Sequence, residues 1–407
     1  MSDAASRVIA ECARIAAMSE ESGRTTRRFL TPPTHAVHDH LRARMQALGM
    51  SERVDAAGNL RGLWQPANAG TKLLVMGSHI DTVPDAGAYD GVLGVVMALE
   101  YVSLAKAQQS PLAIEVIAFS DEEGVRFGVP FIGSRAIAGR FDRALLERRD
   151  ADGKSMAEAI REFGLDSTRI DEAALTENAA AFLEIHIEQG PVLEAEDLSL
   201  AAVTSIAGQT RITFEFIGEA NHAGTTPMRL RRDALSTAAE WIAKVERAAC
   251  STDGLVATVG KIAVEPDAGN VIPGKATVSL DVRHEHDFVR LTTVKQLLDE
   301  AKTIAERRGL TVQHQGQSEQ PAVPMDERLT SFVADAIEAA GMPVRRMVSG
   351  AGHDAMVLAA RVPTTMLFLR SPGGLSHHPN ETVREEDVDA ALRVGRFFLE
   401  RMAAEIR

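Results

Sequence analysis

The sequence predicts an α/β protein: a sheet covered by helices on both faces, interrupted by an inserted βαββαβ domain of ferredoxin-like order. Three observations carry this expectation. Short β-rich runs alternate with longer helical patterns through the first half, the pattern changes between about Arg211 and Gln320, and buried-strand character returns afterwards. The main domain is therefore discontinuous, with residues 1–210 and 321–407 flanking an insertion at 211–320.

In the first segment, Lys72–Met76 (KLLVM) runs into Gly77-Ser78-His79, and Leu112–Phe119 (LAIEVIAF) into Ser120-Asp121-Glu122-Glu123. Ala181–Ile187 (AFLEIHI) runs into Glu188-Gln189-Gly190-Pro191. Ligands of open α/β sheets lie outside the carboxyl ends of the strands, so three endings rich in His and carboxylate predict one shared site. The helical run Val92–Ala105 follows Asp90-Gly91. In the insertion the pattern reads strand Ile212–Ile217, helix Arg232–Ala249, strands Leu255–Val264 and Ala276–Arg283, helix Asp287–Arg308 and strand Leu310–Gln315. Pro343–Val348 and Val362–Leu369 then resume the buried strands, and the amphipathic helix Val388–Met402 closes the chain.

The chain has 407 residues, 45% hydrophobic and 25% charged, enough for a substantial core. With 44 Lys and Arg against 57 Asp and Glu, the net charge of −13 argues against nucleic acid or an anionic membrane as partner and favours a small molecule. Cys12 and Cys250 lie far apart, forming neither a ligand pair by spacing nor a disulfide framework, as a reducing compartment allows. Met1–Ala5 lacks a basic start and an apolar core follows nowhere nearby, so a cytoplasmic protein is expected. The strongest apolar runs, about eight residues, fall short of the roughly 20 that cross a bilayer as a helix.

His79-Ile80-Asp81 and Asp90 offer the imidazole and carboxylate donors that a borderline cation takes. Residues two apart in extended backbone point the same way, so Asp81 could accept the second ring N–H of His79 and fix its tautomer. Asp90 has two oxygens and could bridge two cations, although Asp90-Gly91 taken alone reads better as a turn and helix cap. Glu122 and Glu123 are adjacent acids at a strand end, costly unless a cation or proton intervenes. One can ligate a metal while its neighbour moves a proton. The buried strand before them argues against a merely solvated acidic loop. His186 lies on the polar side of its strand, and His377-His378 in a loop whose Gly373 and Gly374 permit close approach to a ligand. His35, His38 and His40, at the start of a helix, read as surface or packing residues.

The segments Gly77–Val83, Asp90-Gly91, Asp121–Gly124, Glu184–Pro191 and Ser376–Pro379 resemble those of the hydantoinase/carbamoylase amidases, within the binuclear metallopeptidase superfamily. That family includes N-carbamoyl-L-amino acid hydrolases, β-ureidopropionases and allantoate amidohydrolases. The resemblance covers nearly the whole chain. It implies a zinc exopeptidase-like catalytic domain on a mixed sheet, with the insertion as a lid or dimerisation domain of a homodimer. It further implies two divalent ions per subunit, Zn²⁺, Mn²⁺, Co²⁺ or Ni²⁺, since mixed donors accept all four. His79 and His186 would hold one, Glu123 and His377 the other, and Asp90 would bridge them, with His378 a neighbour. Glu122 would be general base and acid, supported by Asp81.

The same resemblance places His222 (in Asn221–Met228) and Asn270 (in Gly269–Gly274) near the scissile carbonyl and Arg283 on the substrate carboxylate. Gln189 and Gly352, the latter in Gly350–Asp354, would lie near the substrate. Physics agrees: a guanidinium fork suits a carboxylate, and an imidazole N–H suits charge growing on a carbonyl oxygen. The alternatives are a strand-end surface charge for Arg283 and a turn-holding histidine for His222. The implied reaction is hydrolysis of a ureido or carbamoyl C–N bond in a small anionic substrate, through a hydroxide held between the ions, releasing ammonia and CO2. Thr25–Arg28 and Phe127-Gly128 would suit such a substrate, with allantoate favoured over N-carbamoyl-L-amino acids. An exopeptidase of the same superfamily and a non-catalytic metal-binding scaffold are the rivals. His186 and Asn221–Met228 favour the amidase, and the intact acid pair argues against the scaffold.

Overall fold

The computed structural model describes residues 2–405. Two compact units emerge, one built from the chain up to Thr204 and again from Met325, the other from Ser205–Pro324. In chain order the strands are β1 (Ser51–Val54), β2 (Leu60–Trp64), β3 (Leu73–His79), β4 (Ala113–Phe119), β5 (Ala179–Ile187) and β6 (Leu200–Ile206). The second unit holds β7 (Gly208–Ile217), β8 (Asn221–His222), β9 (Val256–Thr258), β10 (Ile262–Glu265), β11 (Val271–Ile272), β12 (Lys275–His284), β13 (Thr311–Gln320) and β14 (Val323–Pro324). The last segment returns β15 (Arg346–Ser349) and β16 (Thr364–Leu369) to the first unit.

The sheet of the first unit runs β1-β2-β4-β3-β5-β16-β6, with β15 also on β6. Its centre is parallel (β4 with β3, β3 with β5, β5 with β16), and antiparallel strands β2 and β6 flank it. This is a mixed sheet, and its physical origin is legible: β3, β4 and β16 are buried at every position, which central strands covered on both faces require. One apolar cluster joins Leu74, Met76, Val116, Ile185 and Leu367 to the helices Ser2–Ala16, Val92–Ala107, Glu327–Ala339 and Glu385–Glu405. Another gathers Phe29, Phe127, Ile132, Met156 and Ile160. The helix Val92–Ala107 is apolar almost all round, as a helix enclosed by sheet and neighbours must be.

β3 runs on to His79 instead of stopping near Met76, because Gly77, Ser78 and His79 keep pairing with Ile117, Ala118 and Phe119. Gly77 is required there, since a Cβ would collide with the Ile117 carbonyl. Three ligand-bearing strand ends therefore lie side by side in the parallel centre of the sheet.

In the second unit the order is β10-β12-β7-β13, all antiparallel, with β9 also on β12. Helices Ala234–Cys250 and Asp287–Arg307 pack Trp241, Val245, Val294 and Leu297 against Phe214, Val278 and Leu280. The run Leu255–Val264, expected as one strand, is two short ones separated at Val259-Gly260-Lys261, and both lie against β12. Antiparallel β8 and β11 make a separate ribbon, Val271 opposite His222 and Ile272 opposite Asn221. Among the described residues no helix is long and apolar enough to cross a membrane, and Cys12 and Cys250 are both free thiols.

Candidate active site

His79 ends β3, His186 is the last residue but one of β5, and Asp90 stands just before the helix Val92–Ala107. These three converge. His79 Nε2 lies 3.5 Å from His186 Nε2, and Asp90 Oδ1 lies 3.5 Å from the first and 3.2 Å from the second. In a tetrahedral site with bonds of about 2.0–2.1 Å, ligand atoms stand about 3.3 Å apart, so the spacing fits one cation. The ring nitrogens facing away are already engaged: His79 Nδ1 with the Asp81 carbonyl at 3.0 Å and His186 Nδ1 with the Ile187 carbonyl at 2.9 Å. Donation through Nδ1–H leaves each Nε2 with its lone pair directed inward, as a metal ligand needs.

Asp90 also faces a second set. Its other oxygen, Oδ2, is 3.3 Å from His377 Nε2, which in turn is 3.5 Å from Glu123 Oε1. One carboxylate thus offers an oxygen to each of two donor groups, His79 with His186 and Glu123 with His377. The first set is buried, whereas the His377 side chain is 49% exposed, so the second set opens to solvent. His377 holds a left-handed backbone, φ 55°, in the loop after β16, a strain of the kind concentrated at functional sites. His378 is exposed, its Nδ1 accepts the Asn380 N–H at 3.1 Å, and it belongs to none of the candidate cation groups among the described residues.

Glu122 and Glu123 follow β4, and the Asp81 carboxylate accepts their main-chain N–H groups at 2.9 and 3.1 Å. Here the structure departs from expectation. The near partner of the His79 ring is the Asp81 carbonyl, the carboxylate standing at 3.4 Å, so Asp81 chiefly seats the acid pair. The charges are crowded. Burial, with Glu123, Asp354 and Asp81 nearby, pushes the Glu122 carboxyl well up, although His79 opposes this. Burial and Asp90 push Glu123 up to about 7. At Asp90 burial also works against the charge, but bonds to His186, His377 and His79 prevail and hold its carboxyl well below the usual range. His377 is raised to about 9, first by its bond to Asp90. A divalent cation is the counter-charge such an array lacks.

Gln189, expected near the substrate, touches the bridging residue: its amide donates to Asp90 Oδ2 at 3.1 Å and to Ser376 Oγ at 3.0 Å. Ser376 Oγ donates to the same Asp90 oxygen at 3.0 Å. Glu381, to which sequence reasoning gave no role, accepts the N–H groups of Tyr89 and Asp90 at 2.9 and 3.0 Å. Gly91, whose φ is 66°, leads into the helix, and a Cβ there would stand 2.5 Å from the His79 ring. The turn and the ligand role of Asp90-Gly91 therefore coexist. Gly352 abuts Phe131, and His353 beside it packs edge-on to His186 with ring centres 4.4 Å apart.

Two residues of the expected substrate segments, Arg27 and Phe127, are corrected. Arg27 is wholly buried and bonded to main-chain carbonyls, and Arg28 is paired with Glu20 at 2.6 Å. Phe127 is likewise buried, packed edge-on to Phe29. Arg27 and Phe127 cannot meet a substrate without unfolding the segment, whereas Arg28, its side chain 41% exposed, remains accessible.

In the second unit, His222 sits on the exposed β8–β11 ribbon, and the Asn270 carbonyl accepts the Ala223 N–H at 2.9 Å. His222 Nδ1 accepts from the N–H groups of Gly224 and Thr225 at 3.0 and 3.2 Å. The turn fixes the tautomer and leaves Nε2–H as an outward donor, so the turn-holding and substrate readings are compatible. Arg283 is bound to Asp281 by two hydrogen bonds of 3.0 Å, and a substrate carboxylate would have to share that fork.

Known proteins resemble this chain over most of its length. The chain is 39% identical to an N-carbamoyl-L-amino acid amidohydrolase of Geobacillus stearothermophilus, over 92% of each chain. It is 36% identical to an allantoate deiminase of Arabidopsis thaliana, over 94% of this chain and 79% of that one. A solved amidase of the hydantoinase/carbamoylase family from Burkholderia multivorans superposes with a TM-score of 0.92 at 33% identity, covering 98% of this chain and 97% of that one. The model of Peptidase family M20/M25/M40 matches residues 75–401, a span that reaches from the strand of His79 past the loop of His377, and the chain belongs to that family.

Proposed function

We propose that this chain is an amidohydrolase cleaving the ureido or carbamoyl C–N bond of a small anionic substrate, with release of ammonia and CO2. Allantoate is the favoured substrate and an N-carbamoyl-L-amino acid the next. The observation that carries the reading is Asp90, which presents Oδ1 to His79 and His186 and Oδ2 to His377. The names of the relatives support the substrate class, and the net charge of −13 fits a small-molecule partner better than a polyanion.

Two divalent ions, held by His79, His186, Asp90, Glu123 and His377, would when bound lower the pKa of water towards about 7 and polarise the scissile carbonyl. Glu122 takes the proton of the attacking water and passes it to the leaving nitrogen, a step typically contributing about 10²–10⁴-fold. Asp81 holds the main chain of Glu122 in place for that transfer. Nε2–H of His222 and the amide of Asn270 steady the charge that develops on the carbonyl oxygen. Arg283 receives the substrate carboxylate beside Asp281, and Gln189 and Gly352 border the substrate. We read the assembly as a cytoplasmic homodimer, with the insertion acting as lid and dimerisation domain.

The test is ammonia release from allantoate, ureidoglycolate, N-carbamoyl-L-amino acids and N-carbamoyl-β-alanine after loading with Zn²⁺, Mn²⁺, Co²⁺ or Ni²⁺ in turn. Turnover of one or more ureido acids is expected. Cleavage of dipeptides with no ammonia from any of these would place the chain among peptidases instead, and stoichiometric metal with no hydrolysis would make it a scaffold.

A further inference from the structure

Arg27 is fully buried, yet no carboxylate lies within ion-pair distance of it among the described residues. Its hydrogen bonds go to main-chain oxygens. Nε donates to the Ile80 carbonyl at 2.5 Å, and Nη1 to the carbonyls of Ile15 and Met18 at 3.1 and 2.8 Å. Ile15 lies in the last turn of the helix Ser2–Ala16, whose last carbonyls have no partner inside the helix, and Met18 stands two residues beyond its end. The main chain of Arg27 is engaged as well: its N–H donates to Thr82 Oγ1 at 2.9 Å, and its carbonyl accepts the Thr82 N–H at 2.8 Å.

Arg27 therefore grips the peptide on both sides of Asp81, residue 80 through its side chain and residue 82 through its main chain. Between those grips lies the turn that leaves β3 directly after His79. Two further bonds complete its fixation, Ile80 N–H to the Phe119 carbonyl at 3.0 Å and the Asp81 carbonyl to His79 Nδ1 at 3.0 Å. The Asp81 carboxylate in turn seats Glu122 and Glu123. A buried guanidinium is costly, and an apolar side chain of similar volume would fill the space without that cost. What an apolar residue cannot do is hold three carbonyls from one planar fork.

We propose that Arg27 is a positioning residue for the metal centre: by clamping Ile80 and Thr82 it fixes the His79 imidazole and, through Asp81, the acid pair. The inference rests on the metal-binding reading given above. It places the control of ligand geometry on a residue remote in sequence from every ligand, and it ties the first helix of the chain to the site.

The test measures metal affinity of the full-length apoprotein by chelator competition, together with the visible absorption of the Co²⁺-loaded protein, in wild type, Arg27→Met, Arg27→Lys and Tyr101→Phe. Tyr101→Phe loses a buried 2.7 Å bond to the Ala391 carbonyl and controls for general destabilisation. Arg27→Met is expected to weaken the tighter site about 10–100-fold, the usual effect of removing support behind a ligand, and to alter the Co²⁺ bands. Arg27→Lys should recover part of both, and Tyr101→Phe should leave both as in wild type. Folded Arg27→Met with wild-type affinity and spectrum would overturn the proposal, as would an equal loss in Tyr101→Phe. Where Arg27→Met gives no folded protein, Thr82→Val, which removes one of the two bonds of the Thr82 grip, decides: a several-fold loss with altered bands supports the clamp, and unchanged values overturn it. A wild-type chain that binds no Co²⁺ would refute the metal-centre reading itself and the clamp with it.

Discussion

The Glu381 carboxylate accepts the main-chain N–H of Asp90 at 3.0 Å. Glu381 lies in the same loop as His377, so this bond couples the loop of one ligand to the backbone of the bridging residue. Tyr89 adds a second N–H at 2.9 Å to the same oxygen. Glu381→Gln keeps one acceptor but loses the charge that two N–H groups share. About a tenfold loss in affinity for the His377 ion is expected, read as metal retained after dialysis against graded chelator. Full retention would show that the loop is held by other bonds.

The acid pair separates two roles that side-chain substitution can tell apart. Glu122→Gln should keep its metal and lose about 10²–10⁴-fold in turnover, because only the proton-transfer group is changed. His79→Ala should lose metal and activity together, since His79 Nε2 belongs to the buried donor set. Metal analysis beside ammonia release distinguishes them. Normal turnover by Glu122→Gln would remove its assigned role.

Gly91 offers a sharper probe of packing. Its φ of 66° and the 2.5 Å approach of a Cβ to the His79 ring mean that Gly91→Ala must turn the imidazole or shift the helix start. Its φ of 66° with ψ of −52° lies outside the left-handed helical region, so an alanine there costs more than the roughly 1–2 kcal/mol of that region. The ligand should suffer more: metal affinity is expected to fall while the unfolding midpoint drops by only a few degrees. Thermal unfolding of the apoprotein, compared with metal titration, separates the effects.

Much of this centre is legible in sequence because strands β3, β4 and β5 are parallel neighbours, so His79, Glu122, Glu123 and His186 need only stand at or near their carboxyl ends to meet. Asp281 and Arg283 were equally within reach, since residues two apart on a strand share a face, and that alternation predicts their pairing. Arg27 and Glu381 were not. Their partners, Ile80 and Asp90, are main-chain groups distant in sequence, and no residue pattern records which carbonyl or N–H a side chain will find. The length of β3 was hidden for a related reason: Gly77 reads as a breaker until a neighbouring carbonyl is seen to need its missing Cβ.

His38 makes the fold sensitive to acid. It is buried, its Nε2 has no hydrogen-bond partner, and burial, aided by Arg42 and His35, depresses its pKa from 6.5 to about 3. The unfolded chain takes up the proton that the folded one refuses, so stability is full above about pH 6.5 and falls as the pH drops towards 3. The loss from this group is about 2 kcal/mol between about pH 7 and about pH 5. Urea unfolding across that range should show the slope in wild type and a flatter one in His38→Leu. Equal slopes would mean that the imidazole is solvated or paired in solution.

His222 offers a test of the proposed homodimer. Because Gly224 and Thr225 donate to its Nδ1, His222 can present a hydrogen only through Nε2, and that donor faces outward from an exposed ribbon. His222→Ala should therefore lower turnover without loss of metal, the donor lying outside every group among the described residues able to bind a cation. An outward donor can serve its own chain or its partner, and the two arrangements give different results when inactive chains are mixed. If subunits share sites, a heterodimer of His222→Ala with Glu122→Gln holds one site with both groups intact, and activity near half that of one wild-type dimer should return. If each chain serves itself, every site in that heterodimer lacks one group. No recovery in heterodimers proven by differential tagging would assign His222 to its own subunit, while undiminished turnover of His222→Ala alone would remove it from the reaction.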